Sequence, residues 1–254
     1  MGIIKPFFIA FSLYSQIPVP QFEWKEEDMK YMLCFFPWIG VVIGVLLFGW
    51  RQLCHMFSIG ETGYLLIAAA IPLLVTGGFH VDGFMDTMDA LHSYQSRERK
   101  LEILKDSHIG AFSVIMLAAY GLVYLGAFSE VRNNEYFTIV CTGFFLSRCL
   151  SGISVVSFPA AKKEGLLHSF AAKAEKKRVR WILVLQAAAG VLFMLMQSIT
   201  CAIILTLCLL LLYAYYHHRC KREFGGITGD TAGCLVLLLE AIAVAVAAIM
   251  DIAG

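Results

Sequence analysis

Thr76-Gly77-Gly78-Phe79-His80-Val81-Asp82-Gly83-Phe84-Met85-Asp86-Thr87-Met88-Asp89 ends a long apolar run and opens a cluster of three carboxylates. Asp82, Asp86 and Asp89 are spaced i, i+4, i+7, so a helix here carries all three on one face within about two turns. Like charges on one stripe repel, by about a few tenths of a kcal/mol per exposed pair and by more where water is excluded. A hard divalent cation relieves that repulsion, and oxygen-only donors favour Mg2+ or Mn2+ over Zn2+. Mg2+ held by a few carboxylates with open positions is typical of phosphate-handling sites. The plainer reading is a solvated helix start whose acids complement the positive end of the dipole. The two glycines and His80 ahead of the acids point instead to a close-approach turn.

Outward from this stretch, the chain is strongly apolar: 59% of its 254 residues are hydrophobic and 15% charged, with a mean hydropathy of +0.73. Soluble domains carry roughly 25% charged residues. The composition therefore defines an integral membrane protein. Apolar runs near 32–50, 63–79, 111–128, 136–157, 181–197, 199–216 and 231–250 each approach the ~20 residues a helix needs to cross the hydrocarbon. The expected fold is all-α: a polytopic bundle of about seven spans, forming one catalytic domain over residues 1–254. The run Ile3–Ile17 is shorter and ends in Pro18 and Pro20, which predicts a short or interfacial helix, retained because no small-residue cleavage pattern follows it.

Basic residues are distributed unevenly. Segments 21–30, 80–110, 158–180 and 217–230 hold 2, 4, 7 and 3 Lys and Arg, 16 of the 20 in the chain, while the facing loops hold essentially Arg51 and Arg132. Excess Lys and Arg mark the cytoplasmic side, so these segments, and the acids with them, are expected to face the cytoplasm. The same asymmetry accounts for the basic loops without a nucleic-acid partner. The eight cysteines are scattered, mostly in apolar runs, with no Cys-x-x-Cys pair, and read as small buried hydrophobes. Gly40 and Gly44 form a small-x-x-x-small pattern suited to helix packing. Pro37 and Pro72 lie in or near spans, where they are expected to bend helices.

Three further groups carry chemistry. Lys105-Asp106-Ser107-His108-Ile109-Gly110 precedes a span, where free backbone N–H groups and a positive dipole suit a phosphate; Asp106 or Ser107 would equally serve as an N-cap. Phe224-Gly225-Gly226-Ile227-Thr228-Gly229-Asp230 is glycine-rich and resembles a loop holding phosphate or sugar hydroxyls, with Gly226, Thr228 and Asp230 as its contacts. Its spacing is not that of a nucleoside-triphosphate loop. Arg148 and Glu240 fall inside spans, where facing lipid would cost several kcal/mol, so both are expected in the interior. They are either paired with each other or, for Arg148, turned to substrate phosphate. His217 and His218 read as interfacial.

The chain resembles the adenosylcobinamide-GDP ribazoletransferase (cobalamin 5′-phosphate synthase) family over nearly its whole length. The resemblance rests on Gln16-Ile17-Pro18-Val19-Pro20, Phe36-Pro37-Trp38-Ile39-Gly40, the block from Gly77 to Ala90, Lys105 to Gly110, Lys163-Glu164-Gly165-Leu166, Gly225 to Asp230, and Glu240. His108 and Lys163 stand where Arg is more common. The resemblance implies a Mg2+-dependent enzyme of the bacterial cytoplasmic membrane that joins adenosylcobinamide-GDP to α-ribazole or its 5′-phosphate with release of GMP, in possible association with other corrinoid-assembly enzymes. Asp82, Asp86, Asp89 and Asp106 are then the candidate metal ligands. Asp89 or His80 is available for acid–base work, and Lys105, Ser107, Arg148, Gly226, Thr228 and Asp230 for substrate binding. Two rivals are weaker on the residues. A CDP-alcohol phospholipid synthase would need Ala-Arg where Asp86-Thr87 stands, and a cation transporter would string its acids through several spans.

Overall fold

The computed structural model describes residues 4–20, 23–161 and 174–254. Lys163-Glu164-Gly165-Leu166 lies outside the described residues. The described chain forms ten α-helices: α1 (Ile4–Tyr14), α2 (Phe36–Phe57), α3 (Glu61–Thr76), α4 (Phe79–His92), α5 (Arg97–Ile103), α6 (Ala111–Ser129), α7 (Asn134–Ser157), α8 (Lys176–Gln197), α9 (Ile199–Phe224) and α10 (Gly229–Ala253). Two 3-10 turns, Glu26–Met29 and Met32–Phe35, lead into α2.

Six helices, α2 and α6 to α10, are long and apolar enough to cross a bilayer. The seventh crossing is α3. Its 16 residues reach about 24 Å at 1.5 Å per residue. Connectivity requires it to cross, because α2 ends on one face and α4, which follows α3, lies beside the start of α10 on the other. The first face is identified by contacts between helix ends: Arg51 of α2 donates to the Val131 carbonyl (3.2 Å), and Asp251 near the end of α10 accepts from Arg132 N and Asn133 N (2.6 and 2.8 Å). At the other face α4 turns 93° away from α3, so it leaves the crossing direction. The 11-residue α1 is too short to span and packs against the approach to α2.

The turn between α3 and α4 depends on Gly77 and Gly78, both left-handed at φ 66° and 77°. A Cβ on Gly77 would come within 2.8 Å of Gln16 Cγ, and Gln16 N donates to Val75 O at 2.8 Å. The glycine pair thus lets the N-terminal segment lie directly on the turn.

The interior centres on α7 and α10, which pack on each other. α7 also packs on α2 and α8, and α10 on α4, α6 and α9. Within lipid there is no hydrophobic drive to bring helices together, so close packing and internal hydrogen bonds must do it. Gly40 and Gly44 serve this end: a Cβ on Gly44 would meet Cys141 O at 3.1 Å, and Gly40 lies against Phe144 O. Ser147, Ser151 and Ser154 form a buried polar line along α7, while Leu122, Val123, Leu185 and Leu211 project outward as lipid-facing apolar surface. Pro37 sits in the first turn of α2, where no N–H is lost, and only Pro72 interrupts a helix interior. All eight cysteines are free.

Candidate active site

The acid face of α4 forms as its spacing requires. At 100° per residue, Asp82, Asp86 and Asp89 fall within about 60° of one another around the helix. Asp82 is exposed, and Asp86 and Asp89 half-buried. His80 lies about 200° from Asp82 by the same rule. It is buried, with its ring 5.7 Å from that of Phe36, and its Nε2 has no hydrogen-bond partner. The sequence neighbour of the acids is therefore directed into the bundle. The structure does not bring His80 to the carboxylates.

A fourth carboxylate joins them from the far end of the chain. α10 begins beside α4, and the two backbones touch at Gly83, where a Cβ would stand 2.7 Å from Asp230 O and 3.0 Å from its Cα. Thr228 fixes the start of α10: its hydroxyl accepts from Thr231 N (3.1 Å) while Thr228 N donates to Thr231 Oγ1 (2.9 Å). This is a reciprocal cap. Partial burial, then the charges of Asp82, Asp230 and Asp89, push the Asp86 carboxyl up from its ordinary value to about 6. Burial is the larger cause, and like charge from the neighbouring acids adds to it.

Asp89 has a definite structural partner. Its Oδ2 accepts from Gly110 N (2.6 Å) and its Oδ1 from Ser113 N (3.0 Å), so it caps α6 from another helix. Two expectations change accordingly. The cap of α6 is neither Asp106 nor Ser107, and two of the N–H groups at this helix start, those of Gly110 and Ser113, are taken by a carboxylate of the protein. Gly110 is required there because Asp89 occupies the space a Cβ would need. Lys105, Asp106, Ser107 and His108 form an exposed loop. Asp106 Oδ1 accepts from His108 N (3.0 Å) and pairs with its Nδ1 (2.6 Å); these bonds hold the Asp106 carboxyl below its ordinary value.

The glycine-rich loop also differs from expectation. Gly225 is left-handed at φ 79° and ends α9. Gly226 is buried against the backbone of Pro159, Ala160 and Ala161, where Ile227 N donates to Pro159 O (3.0 Å) and Ala161 N to Ile227 O (2.8 Å). The close approach that Gly226 permits is to the chain itself, so Gly226 is not a ligand contact. Arg148 is corrected as a phosphate clamp. It is 1% exposed, pairs with Glu240 Oε1 at 2.7 Å and donates to Phe144 O at 2.7 Å, and it lines the same interior cavity as His80.

Sequence reasoning passed over Gly83 and Gly110, although a glycine one residue after the first acid of a helix is itself a signal of close packing. It also passed over two ties that hold this face together. Lys100 forms a mostly buried ion pair with Glu223, and Arg97 lies against the end of α9, 3.4 Å from the Arg222 carbonyl.

Among the described residues, no three His, Cys, Asp or Glu side chains converge closely enough to enclose a metal ion by themselves. The donor chemistry nevertheless fits Mg2+ or Mn2+. Mg2+ needs only one or two carboxylates when phosphate oxygens and water complete its octahedron, and Asp82, Asp86 and Asp230 supply hard oxygen donors whose mutual repulsion a cation relieves.

Helices that cross the bilayer, with a carboxylate-rich face at one end of the bundle, define a polytopic membrane protein. The family model described as cobalamin-5-phosphate synthase matches residues 6–248, and the chain belongs to that family of transferases. Among its relatives, the protein named adenosylcobinamide-GDP ribazoletransferase of Lachnoclostridium phytofermentans is 42% identical over 96% of this chain and 93% of its own length. Proteins of the same name from Clostridium perfringens and Geotalea daltonii are 34% and 32% identical, over 93% and 94% of this chain and 94% of their own lengths. No solved structure matches the chain.

Proposed function

We propose that this chain transfers the cobinamide phosphate of adenosylcobinamide-GDP to the 3′-hydroxyl of α-ribazole or its 5′-phosphate. A new P–O bond forms at the phosphorus nearest the cobinamide arm, the P–O–P bond to the nucleotide breaks, and GMP leaves. The proton lost by the hydroxyl passes to a carboxylate of the site. The supporting observation is the backbone contact at Gly83, which sets Asp230 of α10 beside the Asp82, Asp86 and Asp89 face of α4.

Asp82, Asp86 and Asp230 would hold Mg2+ (or Mn2+), which supplies charge neutralisation and a template for the diphosphate. Asp89 ties the end of the 105–110 loop and the start of α6 to α4 through its two hydrogen bonds. Phosphoryl transfer depends chiefly on positioning and electrostatics, and rigid helix starts such as that of α10 suit this. We place the site at the cytoplasmic face of a bacterial cytoplasmic membrane, on the side rich in Lys and Arg, where nucleotide substrates are found.

Purified protein given adenosylcobinamide-GDP and α-ribazole should release GMP and form a cobalamin product only when Mg2+ or Mn2+ is present. GMP release in the absence of divalent cation and with excess chelator would refute the metal role. No product under any condition would refute the reaction.

A further inference from the structure

On the face opposite the carboxylates, Arg51 is 6% exposed and has no carboxylate partner among the described residues. Its Nη1 donates to Val131 O (3.2 Å), its Nη2 to Arg132 O, and its guanidinium lies 4.4 Å from the centroid of the Phe137 ring. These contacts offset part of the charge and secure the α6–α7 connection. They leave Nε without a hydrogen-bond acceptor, and the guanidinium acts on the neighbouring Tyr64 hydroxyl. Both residues line a cavity of about 540 Å³, with Arg132, His55, Ser129 and Glu61 also at its wall. A buried cation with no counter-ion and an unused donor is costly, and a guanidinium fork suits phosphate oxygens.

We propose that this cavity binds a phosphate group, with the phosphodiester of an anionic lipid headgroup as its source in the membrane. Two observations favour the lipid. The cavity lies where α2 ends and α3 begins, at the level of the bilayer surface, and Trp50 beside it donates through Nε1 to Tyr64 O (3.0 Å), an aromatic pair of the kind that marks headgroup depth. The Arg51 guanidinium supplies positive charge beneath the phosphate, Arg132, itself paired with Glu130, and His55 border it, and Glu61 opposes it. The site is separate from the acidic face and does not depend on the reaction proposed above.

The test is thermal unfolding of the detergent-purified full chain titrated with phosphatidylglycerol, inorganic phosphate or diacylglycerol. Phosphatidylglycerol should raise Tm saturably and diacylglycerol should not. An equal rise with inorganic phosphate would keep the site and make free anion its ligand. Arg51→Gln risks loosening the α6–α7 connection, so two variants at the cavity wall decide. Arg132→Gln should weaken the apparent affinity by about threefold or more, and Glu61→Gln should strengthen it, since a like charge is removed. The proposal is overturned if neither phosphate-bearing probe shifts Tm, or if both variants respond as the unmodified protein does.

Discussion

Gly83 of α4 and Asp230 of α10 are in backbone contact: a single methyl group at Gly83 would stand 2.7 Å from the Asp230 carbonyl oxygen. That contact fixes how far apart the carboxylates of the two helices stand. Gly83→Ala should therefore lower turnover by at least about tenfold while the protein still folds, because alanine is favoured over glycine within a helix by about 1 kcal/mol. Steady-state turnover and circular dichroism on the same preparation test this; unchanged turnover would mean that α4 and α10 can separate without consequence.

Asp82 and Asp89 share a face but should fail differently. Asp82→Ala and Asp86→Ala should each cost two orders of magnitude or more in turnover, equivalent to about 2.7 kcal/mol of transition-state stabilisation, with folding intact. Asp89→Ala removes both hydrogen bonds to the start of α6 and should lower stability by about 1–2 kcal/mol as a lost cap does. Denaturation midpoints measured beside turnover separate the two patterns, and an Asp89→Ala protein as stable as the parent would discard the capping role.

The raised Asp86 carboxyl, at about 6 against an ordinary 3.8, sets a pH dependence. Without divalent cation the folded protein holds this proton more tightly than the unfolded chain. The contribution of Asp86 is thus most favourable below pH 4 and is lost as pH rises through 6. Mg2+ competes with the same proton, so its apparent affinity should increase from pH 5 to pH 7. Titration of Mg2+-dependent turnover or Tm across that window checks both signs, and a Mg2+ affinity independent of pH would remove Asp86 from the ligand set.

Arg148 and Glu240 form an ion pair in the bundle interior. Arg148→Met alone leaves a buried, unpaired carboxylate and should destabilise on the order of 3 kcal/mol. Adding Glu240→Gln should recover much of that loss. Thermal stability across the complete double-mutant cycle measures the coupling, and additive effects would mean that each residue has another partner.

Sidedness is testable at Ser96, which is exposed at the start of α5. In a background free of other cysteines, Ser96→Cys should react with a membrane-impermeant thiol reagent only after cells are opened. Labelling of intact cells would invert the orientation and with it the assignment of the substrates' compartment.

Much of this protein was legible along the chain. A helix of sufficient length satisfies its own backbone hydrogen bonds, so apolar runs alone located seven crossings, and a 3.6-residue period alone placed Asp82, Asp86 and Asp89 on one face. The glycines at 77 and 78 and the packing pair Gly40 and Gly44 followed from local geometry. Family membership was readable because the motifs recur in order.

What sequence could not supply was the far side of each contact. His80, two residues before Asp82, is turned to the opposite face of α4, a consequence of helical pitch that sequence proximity hides. Arg148 and Glu240 are separated by 92 residues, and whether they meet depended on how α7 and α10 pack. Gly226 could serve a ligand or the chain itself, and only the position of Pro159–Ala161 decided for the chain. Asp89 was one of three equivalent acids until the start of α6 was set against it. Local hydrogen bonding and periodicity determine each helix from its own residues, whereas the partners of Asp89, Arg148 and Asp230 lie on other helices and were decided only by tertiary packing.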